Sequence, residues 1–205
     1  ATNAAGTNDG TQFAIALGDA YQTPFCESFA WGFAGNSPWT LFADSYYYAW
    51  NITDGSGMAV KPYDDDNGML SWQYIQDESN TQRMQGPRVS IVDLEQPELS
   101  FMMWHGFEAD PEDVVLHVLA NVNDEGFEEL GIVDYNNGAE GWARASFLLP
   151  AGIVAPEGHA ASNVQIAFVA EALLPTASVF IDQIKIGEGV PCDLAAIGIS
   201  GAKRI

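Results

Sequence analysis

SVFIDQIKIGEG, residues 178–189, is the stretch that decides the fold of this chain. Side chains of a β-strand point alternately to opposite faces of the sheet. That alternation predicts one apolar face built from four residues: Phe180, Asp182, Ile184 and Ile186. A lone carboxylate on a buried face costs free energy unless it is paired, hydrogen-bonded, protonated or bound to a metal ion. If the stretch is a strand, Asp182 must therefore have a partner.

A second carboxylate breaks the pattern in the same way near the start of the chain. In PFCESFAW, residues 24–31, Glu27 shares a face with Phe25 and Phe29. The terminal strands of antiparallel sandwiches are often neighbours, and pairing would bring Glu27 and Asp182 to one site. Two nearby carboxylates must share a proton or hold a cation, and calcium takes six to eight oxygen ligands. The alternative is that each acid lies at a strand end and reaches solvent.

The rest of the sequence has the pattern of an all-β protein. Short alternating or apolar runs recur between Gly, Pro, Asn and Asp, and helical periodicity is nearly absent. Runs that are apolar on both faces, such as 101–104 and 113–122, predict central strands of a sandwich, and Asn137-Gly138 predicts a hairpin turn. The predicted strands lie near residues 12–17, 25–31, 45–51, 57–61, 69–75, 88–92, 98–105, 113–121, 127–133, 141–148, 163–170 and 178–186.

The composition limits the classes of partner. The chain has 205 residues, of which 28 are acidic and 7 basic, giving a net charge of -21. Contacts with nucleic acid and with anionic membrane surfaces need Lys and Arg, so the charge argues against both. No apolar run approaches the roughly 20 residues of a membrane span. The polar start predicts that any export signal lies outside this sequence.

An ordered series of short motifs resembles a known family. The motifs are ESF at 27–29, SPWT at 37–40, Asp44, LSF at 99–101, GW at 141–142, NVQIAF at 163–168 and FIDQIKIGEG at 180–189. The series resembles the MAM-like jelly rolls, and most closely the cleaved-adhesin or "choice-of-anchor J" domains of secreted bacterial multidomain proteins, over roughly residues 24–190. RMQGP at 83–87 departs from the Trp-Leu that often precedes the middle proline of that family.

The resemblance implies a fold, a location and a role. The expected fold is all-β, a concanavalin-like jelly-roll β-sandwich of two antiparallel sheets with paired terminal strands. The expected role is a non-catalytic adhesion or ligand-binding module, secreted or on the bacterial outer surface. Its expected partners are a host or cell-surface protein or a glycan.

The resemblance also implies site residues. Several relatives carry a structural calcium near the terminal strands, which by position makes Glu27 and Asp182 ligands, with Asp44 as a further candidate. The two cysteines, Cys26 and Cys192, are either free or joined, and the extracellular context favours a disulfide.

The ends of the chain resemble parts of other modules. ATNAAGT resembles the last strand of a fibronectin type III module, and CDLAAIGIS resembles the start of an immunoglobulin-like module. We therefore expect a linker or last-strand remnant at 1–22, the jelly-roll domain at 23–190, and a linker with the start of the next module at 191–205. Neighbouring modules of the same polypeptide are then further partners.

No catalytic motif stands out. His105, His117 and His159 lack metalloprotease spacing, and alternation favours a core position for His117. DDDNG at 64–68 imitates the start of an EF-hand loop, but Ile75 occupies the twelfth position, where glutamate is needed. A solvated turn or a loose surface cation site remains for that segment. Paired acids can hydrolyse glycosides, but only the abundance of acids supports that role here, so no enzyme is expected.

Aromatic rows leave one alternative open. Tyr46, Tyr48 and Trp50 share a predicted face, and Trp72 and Tyr74 share another. Exposed rows would stack sugars, as in a carbohydrate-binding module, whereas buried rows fill a core. Six tryptophans in one domain favour the core. A purely structural spacer, or an accessory domain of a secreted hydrolase, is the remaining alternative.

Overall fold

The structure is a computed structural model. It describes residues 2–3, 6–7, 20–30, 38–43, 48–64, 66–75, 82–92, 94–106, 114–135, 139–150, 163–172 and 177–188. These residues form β-strands and no helix, so no described helix could cross a membrane. The strands are β1 (Thr2–Asn3), β2 (Gly6–Thr7), β3 (Phe25–Glu27), β4 (Thr40–Phe42), β5 (Trp50–Thr53), β6 (Met69–Gln73), β7 (Arg83–Ser90), β8 (Glu98–His105), β9 (Val114–Val122), β10 (Phe127–Asp134), β11 (Gly141–Leu148), β12 (Asn163–Ala172) and β13 (Ser178–Gly187).

Two antiparallel sheets form a β-sandwich. The five-stranded sheet has the order β10-β9-β12-β7-β4, and the six-stranded sheet has the order β11-β8-β13-β6-β5 with β3 also paired to β13. β1 and β2 form a separate two-stranded pair. The predicted all-β jelly-roll sandwich of two antiparallel sheets is confirmed.

Alternating side chains of both sheets build the core between them. In β9, every second residue is buried: Val114, Leu116, Val118 and Ala120. β12 contributes Phe168 to the same core, and β8 contributes Phe101, whose ring lies 5.2 Å from that of Phe168, edge to face. Burial of such apolar surface is the main stabilising contribution to folding. Each sheet therefore has a core face and an outer face.

β13 runs through the middle of the six-stranded sheet. One of its edges pairs with β8, while the other is shared by β6, at Ser178–Ile181, and by β3, at Ile184–Ile186. The predicted pairing of the first and last main strands is confirmed, although Glu27 faces Ile184 rather than Asp182. Asp182 lies at the junction where the neighbouring strand changes from β6 to β3.

A β-bulge at this junction reverses the alternation of β13. The register against β8 shifts between Asp182 and Lys185, and Gln183 has a φ of 49°. The main core receives four side chains of β13: Val179, Ile181, Ile184 and Ile186. Phe180 instead joins a second cluster on the outer face. The predicted single face is therefore wrong, because the extra residue of the bulge moves Phe180 and Asp182 to the face opposite Ile184 and Ile186.

Two local predictions are also wrong. The strands on either side of Asn137-Gly138 are β10 and β11, which lie in different sheets, so they form no hairpin. Residues 57–61 form loop structure rather than a strand. Gly55 and Gly57 there adopt φ values of 71° and 77°, which interrupt an extended chain.

β7 extends beyond the predicted strand at 88–92, since it begins at Arg83. Its register against β12 shifts between Gln85 and Arg88, which places Gly86 and Pro87 in a bulge. A bulge tolerates a proline that a regular ladder would exclude. The predicted strand at 12–17 lies outside the described residues.

The segment before β3 joins the two sheets. The N–H of Tyr21 donates to the carbonyl of Arg88 at 2.8 Å, and the N–H of Ser90 donates to the carbonyl of Tyr21 at 2.7 Å. The chain then continues into β3 of the other sheet, where Cys26 is disulfide-bonded. Cys192 lies outside the described residues, so its pairing with Cys26 stays a prediction, as do the domain boundaries.

Candidate cation site and outer binding face

The loop formed by residues 54–64 and 66–68, called here the 54–68 loop, lies over the outer face of the six-stranded sheet. An apolar cluster joins the loop to the sheet, and its members are Met58, Val60, Met69, Trp104, Trp142 and Phe180. The indole N–H of Trp142 donates to the carbonyl of Lys61 at 3.1 Å, and the rings of Tyr63 and Trp142 lie 6.1 Å apart, edge to face. Packing and hydrogen bonds thus hold the loop above Asp182.

Three carboxylates converge where the loop meets the bulge of β13. Asp64 and Asp66 come from the loop and Asp182 from the strand, with one oxygen of each within 4.8 Å of the others. Asp182 is fully buried. Its Oδ2 accepts the N–H of Tyr63 at 2.8 Å, and its Oδ1 accepts the N–H of Gln183 at 2.7 Å. The side-chain amide of Gln183 donates to Oδ2 of Asp64.

The electrostatics of this cluster favour a bound proton or cation. The pKa of Asp182 is raised to about 7, chiefly by burial and also by the charges of Asp64 and Asp66, against the two backbone amides that lower it. Burial also raises the pKa of Asp66, with the charge of Asp64 adding to it. At neutral pH these groups repel one another, and a cation would relieve that repulsion.

The donor set fits calcium. Calcium binds carboxylate oxygens at 2.3–2.6 Å, so two oxygens on one ion lie at most about 5 Å apart, which matches the cluster. Each oxygen of Asp182 accepts one amide and keeps a lone pair free. Among the described residues, no Lys or Arg side chain forms an ion pair with these three acids.

The predicted ligands have different positions. Asp182 belongs to the cluster. Glu27 lies near it, at the end of β3, where its Oε1 accepts the N–H of Phe29 at 2.9 Å. Burial raises the pKa of Glu27, and the charge of Asp66 contributes, so Asp66 is close to both acids. Asp44 lies outside the described residues. Calcium binding by these residues stays a prediction.

Asp64 and Asp66 are cluster residues that the sequence prediction did not assign. The sequence leaves a solvated turn or a loose surface cation site for DDDNG and excludes an EF-hand loop, which supplies all its ligands from one stretch. Here the loop supplies two carboxylates and β13 supplies the third. A usable signal was present, because acids two residues apart precede Gly68, whose N–H donates to Asp66 at 2.9 Å in a tight turn.

The outer face of the five-stranded sheet presents a different set of groups. One row in register crosses all five strands: Ile132, His117, Val169, Arg83 and Phe42. Arg83 lies along this face, with its guanidinium carbon 5.2 Å from the ring centroid of Phe42 and 4.3 Å from that of Phe127 on β10. Such cation–π contacts hold the side chain in place.

Polar groups on this face lack partners. In the described part of the chain, Arg83 Nε and Gln85 Oε1 are buried with no hydrogen-bond partner. Burial lowers the pKa of Arg83. Arg88 pairs with Asp124 at 2.6 Å and Arg144 pairs with Glu98, whereas no described carboxylate pairs with Arg83. Buried polar atoms without partners are uncommon in folded proteins and call for an explanation.

The histidines have structural contacts. His105 is buried, bonds to the carbonyl of Tyr135 at 2.9 Å, and has its pKa lowered by burial. The predicted core position of His117 is wrong, because the odd-numbered residues of β9 face outward. Its Nδ1 lies 2.6 Å from Glu129, and its Nε2 lies 3.7 Å from Glu171. His159 lies outside the described residues.

The predicted aromatic rows mostly fill the core. Trp50 and Trp72 are 1% and 0% exposed, which confirms the core alternative for both. Tyr74 packs against the same core. Tyr48 precedes β5 and is 67% exposed, and Tyr46 lies outside the described residues. Among the described residues of these rows, Trp50, Trp72 and Tyr74 therefore belong to the core rather than to an exposed sugar platform.

Solved structures share this fold. The K1 cleaved adhesin domain of Lys-gingipain from Porphyromonas gingivalis W83 has a TM-score of 0.54 at 16% identity, covering 82% of this chain and 99% of that domain. The K3 cleaved adhesin domain of the same protein has a TM-score of 0.53 at 15% identity, covering 80% and 98%. TmCBM61, in complex with β-1,4-galactotriose, has a TM-score of 0.51 at 12% identity, covering 78% and 93%.

These likenesses establish the fold. No family model matches the chain, and no curated protein matches it. The predicted resemblance to cleaved-adhesin domains agrees with the K1 and K3 structures at the level of architecture. The finer assignment to the MAM-like or "choice-of-anchor J" domains stays a prediction.

Proposed function

We propose that this chain is a non-catalytic binding module of a secreted or cell-surface protein, that it binds a glycan through the outer face of its five-stranded sheet, and that calcium is its structural cofactor. The fold supports the proposal, since adhesin and carbohydrate-binding domains share it. The observation that carries the proposal is the set of unpartnered polar groups on that outer face.

The chemistry of the face suits a sugar. Arg83 Nε and Gln85 Oε1 are buried and have no hydrogen-bond partner among the described residues, so a sugar would bond to them only after their side chains turn outward. Sugar hydroxyls both donate and accept hydrogen bonds, so they can satisfy both atoms. Phe127 and Phe42 add aromatic rings at either side of Arg83, and the apolar faces of sugar rings pack on such surfaces.

Binding to immobilised glycans tests this function. We expect saturable binding to a subset of glycans by the wild-type protein, and at least tenfold weaker binding by Phe127→Ala. Leu148→Ala is the matched control, because Leu148 is 72% exposed on β11 of the other sheet. Absence of saturable glycan binding by the wild type, as for a structural spacer or a protein-binding adhesin, would contradict the proposal. So would equal binding by Phe127→Ala.

The calcium part of the proposal concerns stability. A calcium ion would neutralise Asp64, Asp66 and Asp182 and hold the 54–68 loop against the bulge of β13. The buried position and raised pKa of Asp182 support this role. The ion is assigned no part in ligand binding, because the cluster lies on the six-stranded sheet and the proposed binding face lies on the five-stranded sheet.

A further inference from the structure

We propose that the glycan carries a carboxylate and that Arg83 binds it, so that the module recognises sugars containing uronic acid. This inference rests on the proposed glycan-binding function and adds the chemical class of the ligand. It assigns Arg83 as the residue that determines specificity.

Arg83 lacks an anionic partner among the described residues. The chain has 28 acidic and only 7 basic residues, so an arginine is easily paired. Arg88, on the same strand, and Arg144 both have carboxylate partners, and no described carboxylate pairs with Arg83. An ordered guanidinium without an ion-pair partner can bind an anionic group of the ligand.

Two aromatic rings fix the position of the Arg83 side chain. The contacts of Arg83 with Phe42 and Phe127 use none of its five N–H donors. A guanidinium fixed by aromatic rings loses little further side-chain entropy when it forms a two-pronged hydrogen bond with a carboxylate. The rings thus position the group without occupying its donors, of which Nε is buried.

Charge is unevenly distributed on this face. The acids Glu129 and Glu171 lie around His117. In the row that crosses the sheet, Val169 separates His117 from Arg83. Gln85, two residues from Arg83 on the same strand, has a buried Oε1 without a partner, which would accept a sugar hydroxyl once the side chain turns outward. A carboxylate at Arg83 with hydroxyls toward Gln85 matches a uronic acid rather than a simple anion such as phosphate.

Titration calorimetry with paired oligosaccharides tests the inference. The probes are trimers of galacturonate, glucuronate, mannuronate and guluronate, and the methyl ester of each, at one fixed calcium concentration. We expect the wild-type protein to bind at least one acid form tenfold or more tightly than its ester. Arg83→Gln should lose that preference. Arg83→Lys should lose most of it, since lysine lacks the planar guanidinium that forms the two-pronged hydrogen bond. Arg88→Gln, from the same strand, should keep it.

The outcomes separate this inference from the function on which it rests. Equal binding of acid and ester by the wild type would overturn the role of Arg83 while leaving a glycan-binding module. Preference for the acid that survives in Arg83→Gln would overturn it too, and would indicate binding elsewhere. If the wild type binds none of these probes but binds neutral glycans on an array, the proposal that the ligand carries a carboxylate is overturned and the glycan-binding function remains. Failure to bind any glycan would overturn both proposals.

Discussion

At the scale of single residues, the structure explains why Asp182, an acid, lies within an apolar strand. Its carboxylate is buried on the outer face, accepts two backbone amides, and lies within 4.8 Å of two acids from the 54–68 loop. Its need for a partner follows from the sequence alone, since a buried carboxylate is costly. The identity of the partners does not, because Asp64 is 118 positions away and only the folded loop brings it near.

The raised pKa of Asp182 predicts a pH dependence of stability. Its pKa is about 7 in the folded protein against 3.8 for an ordinary aspartate, so between these pH values the folded state binds a proton that the unfolded state has released. Without calcium, stability should fall as pH rises through this window, by up to about 1.4 kcal/mol per pH unit. Urea unfolding in EDTA at several pH values measures the slope.

Asp182→Asn is the control for this slope, because the amide keeps the shape of the side chain and cannot titrate. Glu27 and Asp66 also have raised pKa values, so they too make the stability of the protein fall as pH rises. The difference between wild type and Asp182→Asn isolates the contribution of Asp182. Parallel profiles for the two proteins would show that Asp182 does not hold the proton.

At the scale of elements, the bulge of β13 and the loop above it form one unit. Asp182 and Gln183 of the bulge bond to Tyr63 and Asp64 of the loop. Period-two reasoning predicts the strand over nearly its full length but assigns its faces wrongly. One inserted residue reverses the alternation. No residue of this stretch has a local preference that would predict the bulge.

The turn at Gly68 predicts the cost of disturbing this unit. A Cβ at Gly68 would lie 1.7 Å from the carbonyl oxygen of Phe29, so backbone would have to move. We expect Gly68→Ala to destabilise the protein by about 1–3 kcal/mol, the usual range for overpacking, measured by urea unfolding. Gly187→Ala is the matched control, because its Cβ would meet Pro24 at an ordinary 3.4 Å. Equal stability of the two variants would contradict the close approach of Gly68 to Phe29, two residues after β3.

At the scale of the whole molecule, the sequence predicts the class of fold but not the pairing of its strands. Alternating runs such as the sequence of β9 predict half-buried strands. The pairing of the first and last main strands follows from the family resemblance. Turn residues could not show that β10 and β11 lie in different sheets, because long-range packing decides that choice. The face around Arg83 was missed because RMQGP was compared with a family motif, although Arg83 and Gln85 alternate with buried Met84.

Calcium binding should raise the stability of the whole sandwich. Asp182 lies in a central strand, and Asp64 and Asp66 lie in the loop that covers it. The most direct test is a thermal melt in EDTA and in calcium for wild type, Asp182→Asn and Asp134→Asn. Asp134, an exposed acid on β10, provides the matched control. At a hundredfold excess over its dissociation constant, calcium adds about 2.7 kcal/mol, or about 5–10 °C in Tm.

We predict that calcium raises the Tm of the wild type and of Asp134→Asn by this amount and leaves the Tm of Asp182→Asn unchanged. An unchanged Tm in the wild type, or an equal rise in Asp182→Asn, would contradict a calcium site at Asp182.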